Sequence, residues 1–247
     1  MTRRLIYLLG SVLFGLASGT STAFADNLNN RQRRLSTHYL SSTNTGQELL
    51  RPFQSTDDYY NRFSIGDLWS PHPEKLFEIK ASKQSVQFRL NGDLLAASPE
   101  YLSWVLAQAL VQYRAVSVAQ KFEADPMPYF IEFSQWELLI SLKYWEEFGA
   151  PQDFDYADHP IENIRKVPQR LNASVNQWNN IWRNQSKDQF LMQTERRHLN
   201  LGYPNQSLVD FARTTTSDKN REAALILLDA FHRDLEKECQ RRPRWCR

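Results

Sequence analysis

Glu132 and Glu137 are the nearest the sequence comes to a pair of catalytic carboxylates. They stand beside Trp136, Tyr144 and Trp145, and that combination has a definite chemistry. A glycosidase keeps one carboxyl protonated in apolar surroundings, keeps a second ionised, and can lay sugar rings on aromatic faces. The same residues have plainer roles. Glu137 follows Ser134 at capping-box spacing, and the aromatics fall where a helix would bury them. Upstream, Gln108 and Gln112 are one helical turn apart, and they suit either a satisfied buried network or the polar floor of a groove.

Asp153, Asp155, Asp158 and His159 form the best metal-like cluster of the chain. An EF-hand loop needs a glycine at its sixth position and a glutamate at its twelfth, and this segment has neither. A solvated acidic loop is the simpler reading, and no metal or other cofactor is expected. The five histidines, at positions 38, 72, 159, 198 and 232, nowhere adopt metal-ligand spacing. Nucleophile-elbow, zincin, P-loop and dinucleotide-binding motifs are all missing from the sequence. That does not exclude an enzyme, since catalytic triads are defined by geometry rather than chain order.

The only cysteines are Cys239 and Cys246. Their spacing is not that of a C-x-x-C redox or zinc motif, so a disulfide is expected, which for so short a loop stabilises by about 2.5 kcal/mol in the chain-entropy model. Around them Arg242, Arg244 and Trp245 make a basic, aromatic tail, read as a solvated terminus or as a contact for an acidic partner or a membrane surface. Tyr59, Tyr60 and Trp69 form a second aromatic group, read as core or as an exposed contact platform. Three N-x-S sequences, at Asn172, Asn184 and Asn205, are expected by chance in a chain this rich in asparagine.

The elements that must position these residues are mostly helices. Ser98-Pro99-Glu100 is a helix start, and the uninterrupted run to Lys121 places Leu102, Val105, Leu106, Ala109, Tyr113 and Val116 at helical steps. Ser103, Arg114, Ser117 and Lys121 share what is read as its wet face. A second helix is expected from Ser134 to Phe148, stopped by Gly149 and apolar on two faces, which suits an interior position. A third is expected from Pro168 to about Arg197, a short one from Leu208 to Arg213, and a last one capped by Ser217 or Asp218 with Ala224, Leu227, Leu228, Phe231 and Leu235 in its apolar stripe. Alternation over Leu76 to Leu95 predicts strands, with a turn at Lys83-Gln84 and another at Asn91-Gly92 leading into Asp93-Leu94-Leu95. The fold class is α+β, predominantly helical: a bundle-like core with one small antiparallel sheet in the N-terminal third. Residues 57–247 are expected to form one globular unit and residues 26–56 an irregular arm, with at most a helical turn near Arg31 to Leu40.

Arg3, Arg4, the apolar run from Leu5 to Ala17 and the Ala23-Phe24-Ala25 site have the layout of a secretory signal cleaved near Ala25. No later run is apolar and long enough to predict a membrane span. Without residues 1–25 the chain carries 28 basic and 28 acidic side chains, so no general field favours nucleic acid. The expectation is a periplasmic or secreted protein that binds another envelope or secreted protein. Its role would be that of an inhibitor or immunity-type factor, or of an accessory component of an envelope or secretion assembly. The alternative is a glycan hydrolase or glycan-binding protein built on Glu132 and Glu137.

Overall fold

The computed structural model describes residues 27–70, 75–83, 85–125, 130–149, 180, 182–200 and 206–246, the side chains of 197, 198 and 200 excepted. In chain order the elements are α1 (27–41), α2 (Asn44–Leu50), α3 (Thr56–Arg62), β1 (Phe63–Gly66), β2 (Phe77–Ala81), β3 (Val86–Asn91), a 3-10 turn (Gly92–Ala96), α4 (Pro99–Lys121), α5 (Ile131–Phe148), α6 (Lys187–Asn200), α7 (Leu208–Thr214), α8 (Asp218–Arg241) and a terminal 3-10 turn (Pro243–Cys246). The fold is α+β and mainly helical, with one three-stranded sheet near the N-terminal third.

The N-terminal arm is not irregular. Residues 27–41 are helical, and Ser36 and Leu40 are completely buried. The segment lacks a broad apolar stripe because polar side chains do its docking. Asn29 Nδ2 donates to Ile65 O at 2.6 Å, and Gln32 Nε2 donates to the carbonyls of Leu95 and Ala97. Asn44-Thr45-Gly46, which reads as a break, is the start of α2, with Thr43 Oγ1 accepting Gly46 N at 2.9 Å. A Cβ at Gly46 would lie 1.8 Å from Leu40 O, so only glycine lets the two helices meet this closely. Glu147 of α5 then clamps α2, accepting from Thr45 N at 3.1 Å and from the Thr45 hydroxyl.

In the sheet, β2 and β3 form the expected antiparallel hairpin, closed by Ser82 N donating to Ser85 O at 2.8 Å. The third strand, however, comes from upstream. β1 pairs parallel to β3, Phe63 opposite Phe88, and the strand order is β1-β3-β2. The sheet is therefore mixed. Asp93-Leu94-Leu95 is a 3-10 turn rather than a strand, because Asn91 Oδ1 accepts Asp93 N at 3.0 Å and curls the chain toward α4. Aromatic residues join sheet to helices: Phe63 and Phe88 stack at 5.1 Å, Tyr113 of α4 meets Phe88 at 5.4 Å, and Phe53 stacks on Tyr113 at 5.0 Å.

α4 touches β2, β3, α2, α5 and α8, while α5 touches α2, α4, α6, α7 and α8. Both are therefore interior. Ser98 caps α4 and Pro99 opens it, as expected, and Gly149 ends α5 with φ +98°, a conformation open to glycine. Two expectations fail. Ser103 lies not on a wet face but at 0 % exposure, accepting from Tyr144 Oη at 2.6 Å and donating to Glu100 O. α5 starts at Ile131, one turn before the Ser134 capping box, and no side chain caps it. Its first turn is instead tied to α7, where Glu132 accepts Leu208 N at 2.7 Å and Ile131 N donates to Gln206 O.

Candidate functional site

α8 places charge on its buried face. Leu227, Phe231 and Leu235 are packed as expected, yet Asp234 and Glu238 lie in the same stripe and are 7 % and 2 % exposed. Each meets a partner from α5. Asp234 accepts Trp136 Nε1 at 2.8 Å, and Glu238 lies 3.5 Å from Lys143 Nζ. A carboxylate this buried needs hydrogen-bond or ionic partners to offset its lost hydration. Glu238 has Arg241 at 3.6 Å and Arg242 at 3.9 Å as well.

Those two arginines reach from the end of α8 to a second carboxylate, Glu146 at the end of α5. Arg241 Nη2 donates to it at 2.9 Å, Arg242 Nη2 donates to its other oxygen, and Trp182 Nε1 donates at 3.3 Å. Desolvation by itself would raise the Glu146 carboxyl. The hydrogen bond and charge of Arg242, the Trp182 indole and the charge of Arg241 outweigh it and hold the group below the usual carboxylate range.

The aromatic support comes from both sides. Trp245 packs edge-on against Trp182 at 4.7 Å and against Phe190 of α6 at 5.4 Å, and the Arg242 guanidinium lies 4.2 Å from the Trp182 ring centre. The turn bearing Trp245 is held by the Cys239–Cys246 disulfide, whose Cα atoms are 5.5 Å apart. These walls bound a cleft of about 580 Å³, lined among others by Glu146, Arg183, Gln185, Arg241, Arg242 and Arg244. Arg183 and Arg244 are exposed and make no ion pair among the described residues. Arg183 rests instead 5.7 Å from the ring centre of Trp145. Among the described residues, three buried polar atoms of cleft residues lack a hydrogen-bond partner: Gln185 Oε1, Arg242 Nε and Trp245 Nε1. A buried polar atom with no partner costs on the order of 1–3 kcal/mol, and Arg242 Nε keeps the Glu238 carboxylate at 3.9 Å.

The chain enters this cleft through a break that the sequence pattern hides. The helix expected to run to Arg197 is interrupted at Gln185 and Ser186, and α6 begins afresh at Lys187. Ser186 and Gln189 form the capping box: Gln189 N donates to Ser186 Oγ at 3.4 Å, and Ser186 N donates to Gln189 Oε1 at 3.2 Å. The S-x-x-Q signal is present in the sequence. It is overlooked because the Asn-rich segment before it reads as one continuous helix.

The residues singled out from sequence are dispersed. Arg242, Arg244 and Trp245 all line the cleft, but Trp245 is 4 % exposed and serves as its buried support rather than as a contact tip. Tyr59 is buried at 3 % exposure, its hydroxyl 3.1 Å from Thr37 Oγ1, and burial pushes its phenol far above the ordinary range. Tyr60 is half-buried, with the Arg33 guanidinium 5.0 Å from its ring centre; Trp69 is half-buried, with Arg89 at 4.3 Å and Lys80 at 5.6 Å. Tyr59, Tyr60 and Trp69 are thus tied into the sheet end of the molecule and form no open platform. Glu132 holds the start of α7, and Glu137 accepts from Gln112 Nε2 at 3.4 Å, joining α5 to α4. Gln108 is half-buried on α4. Trp136 and Tyr144 are buried at 2 % and 0 % exposure, so they present no face to a sugar, and burial lifts the Tyr144 phenol to about 12 against the Ser103 hydrogen bond. Asp153, Asp155, Asp158 and His159 lie outside the described residues, as do residues 1–26 with the expected signal. Among the described residues no group of three or more His, Cys, Asp or Glu is arranged to hold a metal ion, and no helix is long and apolar enough to cross a membrane.

Comparison with known proteins finds no matching family model, no matching curated protein and no matching solved structure.

Proposed function

We propose that the chain is a periplasmic or secreted protein whose task is to bind another protein, acting as an inhibitor or immunity-type factor or as an accessory component of an envelope assembly. The observation that carries this reading is the C-terminal cleft. A floor of tryptophans and internally paired charges carries two exposed arginines, Arg183 and Arg244. Arginine around a buried aromatic anchor is the composition of a protein-binding hot spot. The compartment is supported by the Arg3-Arg4 start, the apolar run to Ala17 and the Ala23-Phe24-Ala25 site, with a cysteine pair at bonding distance that suits an oxidising environment.

The test is capture from envelope extract at physiological salt with the purified protein, followed by mass spectrometry. One stoichiometric partner, lost from a variant with Arg183→Glu and Arg244→Glu, is the expected result. Failure to retain any stoichiometric partner would overturn the reading.

A further inference from the structure

We propose that the Cys239–Cys246 bridge is a redox latch: its reduction by a dithiol releases the terminal turn, withdraws Trp245 from Trp182 and Phe190 and opens one wall of the cleft, while the rest of the fold stays intact. The inference concerns the state of the cleft and is independent of the partner-binding reading.

The latch is local. The bridge joins cysteines seven positions apart, and the span between them holds the lining residues that the tail brings to the cleft, Arg241, Arg242, Pro243, Arg244 and Trp245. α8 is held without it, by Ala224, Leu227, Phe231 and Leu235 in the core and by Lys143 at Glu238. Arg242 is held too, at Glu146 and Glu238. Beyond Arg242 the hold changes character. Pro243 has no N–H, and the turn is tied back to α8 by Trp245 N donating to Arg242 O at 2.8 Å. Arg244 is exposed, and Trp245 Nε1 has no hydrogen-bond partner among the described residues. Trp245 is thus kept at 4 % exposure by ring packing and by the bridge. Burying one indole and ordering the four residues Pro243–Cys246 are free energies of similar size and opposite sign, so closure of the loop decides whether the turn stays docked.

The bridge is also reachable. Cys246 is exposed and Cys239 half-buried, so an incoming thiolate meets the Cys246 side without any opening of the core. Exposed disulfides are the labile ones, and the positive charge of Arg244, two residues before Cys246, favours an approaching thiolate. In the exchange the reductant's thiolate bonds to Cys246 Sγ as the S–S bond breaks, and Cys239 leaves as a thiolate that takes a proton. The reductant's second thiol, losing its proton, then displaces Cys246, whose thiolate is protonated in turn. Two electrons and two protons reach the pair, and the dithiol ends as a disulfide.

The experiment treats the purified protein with dithiothreitol in the absence of denaturant and caps the freed thiols with iodoacetamide. The product is compared with untreated protein and with a Cys239→Ser, Cys246→Ser variant. The expected result is two alkylated cysteines, an unchanged far-ultraviolet dichroism spectrum and a red shift of tryptophan emission. Trypsin cleavage after Arg244, followed by mass spectrometry, accelerates at least about tenfold. The double-serine variant behaves like the reduced protein with or without dithiothreitol, and reoxidation of uncapped protein with oxidised glutathione restores the slow rate. A bridge that resists dithiothreitol until denaturant is added overturns the proposal, since it is then purely structural, as do free thiols in the untreated protein. Equal cleavage rates in reduced and oxidised protein overturn it too, because packing alone then holds Trp245. Loss of the dichroism spectrum on reduction does the same, by making the bridge a requirement of the whole fold.

Discussion

Burial and close partners tune single side chains across this protein, Glu146 under the cleft among them. Glu146 is the informative one, because Arg242, Trp182 and Arg241 hold its carboxyl below the ordinary value of 4.5 although desolvation pushes the other way. A carboxyl with a lowered folded-state pKa contributes stability that is present above the unfolded value and lost as pH falls through the folded one. Glu146→Gln removes that contribution. The urea midpoint of wild type should therefore exceed that of the variant at about pH 7, and the gap should close toward about pH 3. A gap independent of pH would show that the carboxylate charge is not what Arg241 and Arg242 hold.

At the scale of elements, short polar signals decide where helices begin and how closely they meet. Thr43, Ser55, Ser98, Ser207 and Ser217 each accept a backbone N–H at a helix start, and of these Ser98 and Ser217 are read as caps from the sequence. α5 is the exception, since its start is fixed by Glu132 and Gln206 across to α7, a contact that no local pattern encodes. The approach of α1 and α2 at Gly46 gives a sharp test. A Cβ there collides with the Leu40 carbonyl, a backbone atom that cannot rotate away. Gly46→Ala should cost roughly 3 kcal/mol, seen as a lowered urea midpoint, although alanine is ordinarily the better helix former. An unchanged midpoint would mean that the two helices separate easily.

The molecule as a whole is an interior pair, α4 and α5, with the sheet packed on α4 and the disulfide-held cleft formed between Glu146 of α5 and the end of α8. The bridge spans only seven positions, yet it anchors the turn from which Trp245 supports Trp182 and Phe190. Replacing both Cys239 and Cys246 by Ser should lower stability by about 2.5 kcal/mol, read from chemical denaturation. Native protein should likewise show no reactive thiol before reductant is added. Reactive thiols in the untreated protein would remove both the bridge and the support it lends to an oxidising compartment.

The fold class, α4, α7, α8 and the body of α5, the β2–β3 hairpin and the cysteine pairing are readable from the sequence, because each rests on local periodicity, turn chemistry or a count of two cysteines, whereas the break before α6 is not. The α1 helix is not, since it docks through Asn29 and Gln32 rather than through an apolar stripe. Nor is β1, whose partner β3 lies more than twenty residues away and pairs in parallel. Asp234 and Glu238 stand in phase with Leu227 and Phe231, and that placement hints at buried charge; only the tertiary structure supplies Trp136, Lys143, Arg241 and Arg242 to satisfy them. The sequence shows the tail arginines as a basic cluster. That they face Arg183 and Gln185 across one cleft is decided by tertiary structure alone, because a binding site is a matter of distance in space and the sequence specifies only distance along the chain.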